Sequence, residues 1–443
     1  MAKPKTDECI NIYNEKFETG FTGHAYFIRL RDQLTWYQFR EDIVNPLIRE
    51  HIYPTLSMSQ IREISAYAKD MATPLPDAKR YIGINERVWD TQIADYTTDY
   101  PHSPLYYIPY EPAPDKGADE YLLQIANNDK LRKKDILQTV APIFLQTRPV
   151  GVIWWQGRAA NGKSAFMNAI YKLFPSTTSR QLVSVGLDKF EDKRDLVQLN
   201  GALANVVRES PDAMYIKDGF VYKALGSHES FNTHRFYSQD GVDIDADLHH
   251  IFNTNVMPMF ADKGEAIGRR TIMVKFENKF APDPSFEKRT FTYAFLGGLL
   301  YRFLEAAQQL HANGHQYQFS PQTLKHTQDY RESANSAVNF VRHMLDLNVQ
   351  FFLGMNHIRR EYENYCEFNG IVPLGKGHLA HAIEDTGGFY KSTTTQGGKT
   401  VHLFKRGDAQ MEKCDVMAPG IFYKPKKRSA LDPTPVQNPL GMW

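Results

Sequence analysis

The stretch GVIWWQGRAANGKSAFMNAIYKLF (151–174) joins three pieces in a telling order. GVIWW is an apolar run of strand length. QGRAANGKS is a Gly-rich loop, and SAFMNAIYKLF has helical spacing. Residues 157–164 fit the pattern G-x-x-x-x-G-K-[ST]. The backbone N–H groups of such a loop surround a phosphate, and the following helix points its positive end at the same place. A buried strand before and a helix after are the context that this mechanism requires. The expected nucleotide-cradling residues are Gly157, Ala160, Asn161, Gly162, Lys163, Ser164 and Ala165. Lys163 would reach the β- and γ-phosphates of ATP, and Ser164 would give a hydroxyl to Mg²⁺. Trp154 and Trp155 read as core.

Further strand-sized apolar runs follow at ALANVV (202–207), HHIFNTN (249–255) and TIMVKF (271–276), with helical segments between some of them. This alternation predicts an α/β sheet of buried strands. Nucleotide hydrolysis also needs an acid for Mg²⁺ and the attacking water, and a cation for the transition state. ALANVV runs into Arg208-Glu209-Ser210, and an acid at the carboxyl end of a sheet strand beside the loop suits the task. Glu209 is the candidate acid and second metal-facing group, with Asp212 able to assist. Arg208 stands where a second acid is common. HHIFNTN ends in Asn255, whose amide would bond the γ-phosphate or the water. Gly268-Arg269-Arg270 precedes TIMVKF, and Arg269 is the candidate arginine finger with Arg270 in reserve.

The whole chain sets bounds on this reading. Its 443 residues suffice for two or three domains. A net charge of +1 leaves no global field toward polyanions, so any polyanion site is local. Cys9, Cys366 and Cys414 are too dispersed for a metal set or a disulfide framework, which suits a reducing cytosol. MAKPKTDEC carries no apolar signal core, and runs such as GVIWW are too short to span a bilayer. The expectation is a cytoplasmic protein with no membrane partner.

Along the chain, 1–117 reads as an N-terminal region of helices and short strands. There LTWYQFREDIVNPLIREHI is taken as a helix interrupted by Pro46, and Ser57 or Ser59 as the cap of the next helix. The range 118–290 reads as the ATPase core, 291–420 as a helical C-terminal domain closing in a hairpin at TTTQGGK, and 421–443 as a disordered tail. In that tail, KPKKR reads as a solubilising run and LGMW as a docking peptide for a replication partner.

Taken together, the phosphate loop, NVVRES, FNTN and VMPMFADKGEAIGRRTIMVKFENKF resemble the superfamily 3 helicases, AAA+ motors of small viruses, phages and plasmids. Asn255, Pro258, Arg269-Arg270 and Phe276 match the family's sensor-to-finger segment. The segment GINERVWDTQIADYTTDYPHSPLYYIPYEPAP and the region from AVNFVRHML to GHLAHAIE look like the poxvirus-type and phage-plasmid primase-helicase branch, so the resemblance spans about 80–405. It leaves residues 1–80 unassigned and includes no fused primase domain. The resemblance implies an AAA+ P-loop core, a winged-helix-like C-terminal domain and a ring, taken as a hexamer, in which Arg269 completes a neighbour's site. It implies ATP and Mg²⁺ as cofactors, single-stranded and forked DNA as partners, and a separate primase or polymerase. For a phage-encoded chain, the compartment would be the bacterial host cytoplasm.

In such rings a hairpin before the sensor strand reaches the pore. The matching stretch, 223–250, offers Lys223, His234, Arg235 and Tyr237 as contacts to single-stranded DNA. It also carries Asp240, Asp243, Asp245 and Asp247, which belong on the hairpin's outer arm or at a subunit contact. Two other readings share part of this evidence: a helicase loader or remodeller, and an origin-binding initiator acting through the C-terminal module. A metabolic P-loop kinase gives no role to Asn255, Arg269 or that module.

Overall fold

The computed structural model describes residues 5–406, less 24, 34, 176–180, 191–192, 212–213, 217–218, 235–240, 261–264, 335, 348, 350, 353, 369–372, 374–375, 387–388 and 397–398. The tail, with KPKKR and LGMW, lies outside the described residues, as does Cys414.

The N-terminal part begins with α1 (Thr6–Lys16), β1 (Phe17–Phe21), β2 (Tyr26–Leu30), β3 (Tyr37–Gln38), α2 (Glu41–His51), α3 (Met58–Asp70) and β4 (Thr73–Pro74). Its sheet runs in the order β3-β2-β1-β4, and Phe17, Ile28 and Leu30 share a core with Val44, Ile48, Ile61 and Ile64 of α2 and α3. The helix expected over 34–52 starts only at Glu41 and continues through Pro46. Tyr37 and Gln38 pair instead with Ile28 and Phe27. Aromatic residues on a half-buried sheet surface outweigh the helical spacing there. Ser57 caps α3: its Oγ accepts from the Gln60 N–H, and the Gln60 side chain returns to the Ser57 N–H.

A second small sheet, in the order β7-β6-β5-β8, comprises β5 (Tyr81–Ile84), β6 (Arg87–Asp90), β7 (Asp95–Thr97) and β8 (Tyr106–Ile108). The helical stretch expected from 118 divides into α4 (Lys116–Ile125) and α5 (Lys130–Val140). Asn127 and Asn128 take positive φ between them, and the Asp129 carboxylate caps α5.

Next come β9 (Val152–Gln156), α6 (Lys163–Leu173), β10 (Leu182–Val183), β11 (Ala204–Val207), β12 (Tyr215–Ile216), α7 (Phe220–Gly226), β13 (Phe231–His234), β14 (Gly241–Ile244), β15 (His249–Thr254), β16 (Met259–Phe260), α8 (Glu265–Arg270) and β17 (Thr271–Lys275). Five of these form one sheet in the order β10-β11-β15-β9-β17, with every pairing parallel. The expected α/β character is therefore present. Parallel strands covered on both faces must be apolar throughout, and β9, β11 and β15 are buried along nearly their whole length. Trp154 and Trp155 are wholly buried; their indole N–H groups donate to Tyr222 Oη and Thr139 Oγ1.

The chain continues as α9 (Phe286–Thr290), α10 (Tyr293–Ala312), α11 (Pro321–Ala334), α12 (Ser336–Asp346), β18 (Phe351–Phe352), α13 (Gly354–Phe368), α14 (Lys376–Thr386), β19 (Phe389–Gln396) and β20 (Lys399–Arg406). The described residues within 1–214, 220–257 and 270–327 form one compact unit, and those within 215–219, 258–269 and 328–443 a second. Helix α10 contributes Phe295, Leu296, Leu299, Leu300 and Phe303 to the core of the first unit. Gly297 and Gly298 serve this packing. A Cβ on Gly297 would strike the Glu111 carbonyl, and one on Gly298 would lie 2.9 Å from the Ala118 Cβ. In the second unit, α12, α13 and α14 share a core that includes Phe340, Ile358, Tyr362 and Ile383. Its sheet runs in the order β18-β20-β19, with Gln396 opposite Lys399 at the hairpin turn. Among the described residues, no helix is long and apolar enough to cross a membrane.

Candidate functional site

Strand β9 lies between β15 and β17, where the strand order reverses, and the crevice at such a point opens beyond the carboxyl ends of the strands. The glycine-rich loop leaves β9 at that edge. Its first residue, Gly157, donates its N–H to the Thr254 carbonyl on β15 at 3.2 Å. A side chain at 157 would collide with the Phe276 carbonyl and the Asn161 amide, so glycine is obligatory. Asn161 is buried, and its Nδ2 donates to the Phe276 carbonyl at 3.1 Å. The Phe280 N–H donates to the Ala160 carbonyl at 2.7 Å. The segment after β17 thus bolts the loop from one side and β15 holds it from the other. Ala160 (φ 64°) and Gly162 (φ 88°) both take left-handed backbone, and Gly162 leads directly into α6. Glycine adopts that conformation freely, whereas at Ala160 it is strain, which persists only where the surroundings impose it.

Lys163 opens α6 and is 3 % exposed. Its ammonium donates to the Gly157 carbonyl at 2.5 Å, to Asn161 Oδ1 at 3.1 Å and to the Arg158 carbonyl at 3.4 Å. Burial pulls its pKa from 10.5 down to about 8. Among the described residues, no carboxylate is paired with it. Ser164 is exposed one residue further on, and Ala165 is half-buried.

The neighbouring strand tips are stitched to this loop. Asn255 follows the last residue of β15, is exposed, and accepts the Gln156 side-chain amide on its carbonyl at 2.9 Å. Asn253 ties the next strand: its Nδ2 donates to the Arg208 carbonyl at 2.6 Å, and its carbonyl accepts the Ser210 N–H at 3.0 Å. Glu209 is exposed on that segment. It lies two residues beyond β11, and β15 stands between that strand and the loop strand instead of the direct adjacency expected from sequence. The Arg208 guanidinium lies 4.0 Å from the Tyr171 ring centre on α6, and its charge faces an aromatic ring where a second acid was expected. Gln156 and Asn253 were not singled out from sequence. Their signal was a polar side chain within or closing an apolar strand.

The remaining candidates are placed apart. Arg270 is buried in the first unit, with its Nε on Ser227 Oγ at 2.5 Å. Arg269 is exposed and belongs to the second unit, where its carbonyl accepts Arg331 Nη2 at 3.3 Å. Lys223 is half-buried on α7, ahead of the hairpin. His234 ends β13 opposite Gly241, and the expected antiparallel hairpin is present. Arg235, Tyr237, Asp240 and Asp212 lie outside the described residues.

No family model matches the chain, and no curated protein does. Among solved structures, the fold is similar to the apo C-terminal region of NrS-1. One such structure has a TM-score of 0.48 at 13% identity, covering 92% of this chain and 100% of that one. A second has a TM-score of 0.46 at 12% identity, covering 91% and 100%.

Proposed function

We propose that the chain is an ATP-driven DNA helicase of phage or plasmid replication, built on an AAA+ P-loop core of the superfamily 3 kind. One observation carries this reading. A loop fitting the phosphate pattern leaves a central parallel strand, and Asn255 and Glu209 stand on successive strand tips of the same sheet edge. Backbone N–H groups of the loop and the α6 N-terminus would hold the nucleotide phosphates. Lys163, whose buried charge has no acidic partner among the described residues, would pair with the β- and γ-phosphates. Ser164 would hold Mg²⁺, which keeps few protein ligands and takes the rest from phosphate and water. Glu209 would orient the attacking water, and Asn255 would bond the γ-phosphate or that water. Arg269, exposed and outside the unit that holds the loop, would serve a neighbouring subunit's site in a ring, taken as a hexamer. The β13–β14 hairpin would track one DNA strand, and a separate primase or polymerase would extend it.

The test is unwinding of forked DNA with ATP and Mg²⁺, run beside Lys163→Ala. Strand separation by the wild type alone supports the reading. ATP turnover on single-stranded DNA without separation points to a loader or remodeller.

A second reading, an origin-binding initiator, is favoured by the second unit. Its order α12-β18-α13-α14-β19-β20, three helices closed by a hairpin, would suit a winged-helix-like module. Residues 389–406 carry Lys391, Lys399, Lys405 and Arg406 and no acid, a composition suited to phosphate contact. Sequence-specific duplex binding with no ATP turnover would establish it over the helicase.

A further inference from the structure

The hairpin proposed to meet DNA carries acids that would repel it, and the structure shows where their charge goes. Asp243 Oδ1 accepts Asn232 Nδ2 across the hairpin at 3.0 Å. The root, 245–248, is held from outside. Lys79 Nζ lies 2.7 Å from Asp245 Oδ2 and donates to the Asp247 carbonyl at 2.7 Å. Arg148 Nη1 pairs with Asp247 Oδ1, and Arg148 Nε donates to the Pro142 carbonyl at 3.2 Å. Asn200 closes the third side: its Nδ2 donates to the Asp243 carbonyl at 2.9 Å, and its Oδ1 accepts the Asp245 N–H at 2.8 Å.

Both cations sit on firm supports. The Lys79 carbonyl accepts Thr91 Oγ1, and the next residue, Arg80, is bidentate on Asp90. The Arg148 side chain is 1 % exposed. Directly after the clamped root, β15 runs six residues, His249–Thr254, to the tip that receives Gly157 and Gln156. A strand of that length spans about 20 Å. One buried strand therefore has the clamp at its amino end and the glycine-rich loop at its carboxyl end.

From this geometry we infer that Lys79 and Arg148 are positioning residues that fix the hairpin root, so that movement of β15 at the loop is delivered to the hairpin and not dissipated in a slack turn. The inference rests on the hairpin being the DNA element proposed above. It also assigns Asp245 and Asp247 to the clamp, within one chain, instead of a subunit contact.

The experiment uses the full chain and three variants, Lys79→Met, Asp245→Asn and Lys79→Arg. Two quantities are read: hydrogen exchange of backbone amides 241–248, and stimulation of ATP turnover by single-stranded oligonucleotide over the basal rate. Lys79→Met and Asp245→Asn should raise exchange in 241–248 by about tenfold and abolish the stimulation while leaving the basal rate within about twofold. Lys79→Arg should restore both. Unchanged exchange, or raised exchange with stimulation intact, overturns the inference. Asp245→Asn, more exposed and nearly isosteric, decides the matter should Lys79→Met not fold. A wild type without DNA stimulation sinks the helicase reading, and exchange alone then decides the clamp.

Discussion

Two lysines are withdrawn from water at different places around the five-stranded sheet, and their surroundings are opposite. Lys163 at the carboxyl edge faces backbone carbonyls and an amide oxygen of its own loop. Lys79, beside the turn into the amino end of β15, faces the Asp245 carboxylate and the Asp247 carbonyl. A buried cation with a carboxylate partner is a structural fixture; one with only dipoles around it retains most of its charge for an incoming anion. The difference is the one that the proposed phosphate-binding role of Lys163 and the proposed clamp role of Lys79 require.

Four measurements test this contrast. The largest effect is expected from Lys163→Ala, which should lower ATP turnover by about 10²–10³-fold in a phosphate-release assay. Turnover within about threefold of wild type would remove Lys163 from the site. Next, Lys79→Met should cost about 1–3 kcal/mol of stability, because Asp245 loses its partner. Lys163→Met should leave the melting temperature unchanged or raised, since it removes a buried charge with no acid beside it among the described residues. Equal losses in both variants would erase the distinction.

The third measurement is pH dependence. The Lys163 pKa of about 8 lies below its ordinary 10.5, so the unfolded chain holds the extra proton between those values. Stability should therefore rise from pH 8 toward 10.5 relative to Lys163→Met. Nucleotide binding raises the same pKa, so affinity should be full below about pH 8 and fall above it. A titration by calorimetry from pH 7 to 9.5 reads this slope, which Lys163→Met should lack. The smallest effect belongs to a third lysine. Lys189 is exposed, 4.0 Å from Asp188 and 3.8 Å from Asp195. Lys189→Ala should move stability by less than about 0.5 kcal/mol in a denaturant melt.

Local pattern made parts of the molecule readable. GVIWW is buried strand because it is short, apolar and bounded by Gly151 and Gly157. The loop was legible because only glycine fits at 157 and suits φ 88° at 162. The hairpin at 389–406 followed from its turn. Other parts were not readable from spacing. FETGF and AYFIRL form a sheet that their short length and interrupting glycines concealed. Two asparagines broke one apparent helix at 127–128 by taking positive φ, which Asn permits but does not demand.

The α/β character, the loop with its strand and helix, and the polar residues that end the strands follow from local pattern. Those features depend on residues within a few positions of one another, where sterics and period act directly. Packing of whole elements set β15 between β11 and the loop strand, brought α10 into the first unit's core, and left Arg270 buried and Arg269 exposed. It alone brought Lys79 and Arg148 to Asp245 and Asp247, across separations of 166 and 99 residues. Pairings over such distances are chosen by how whole elements pack, and no local period encodes them.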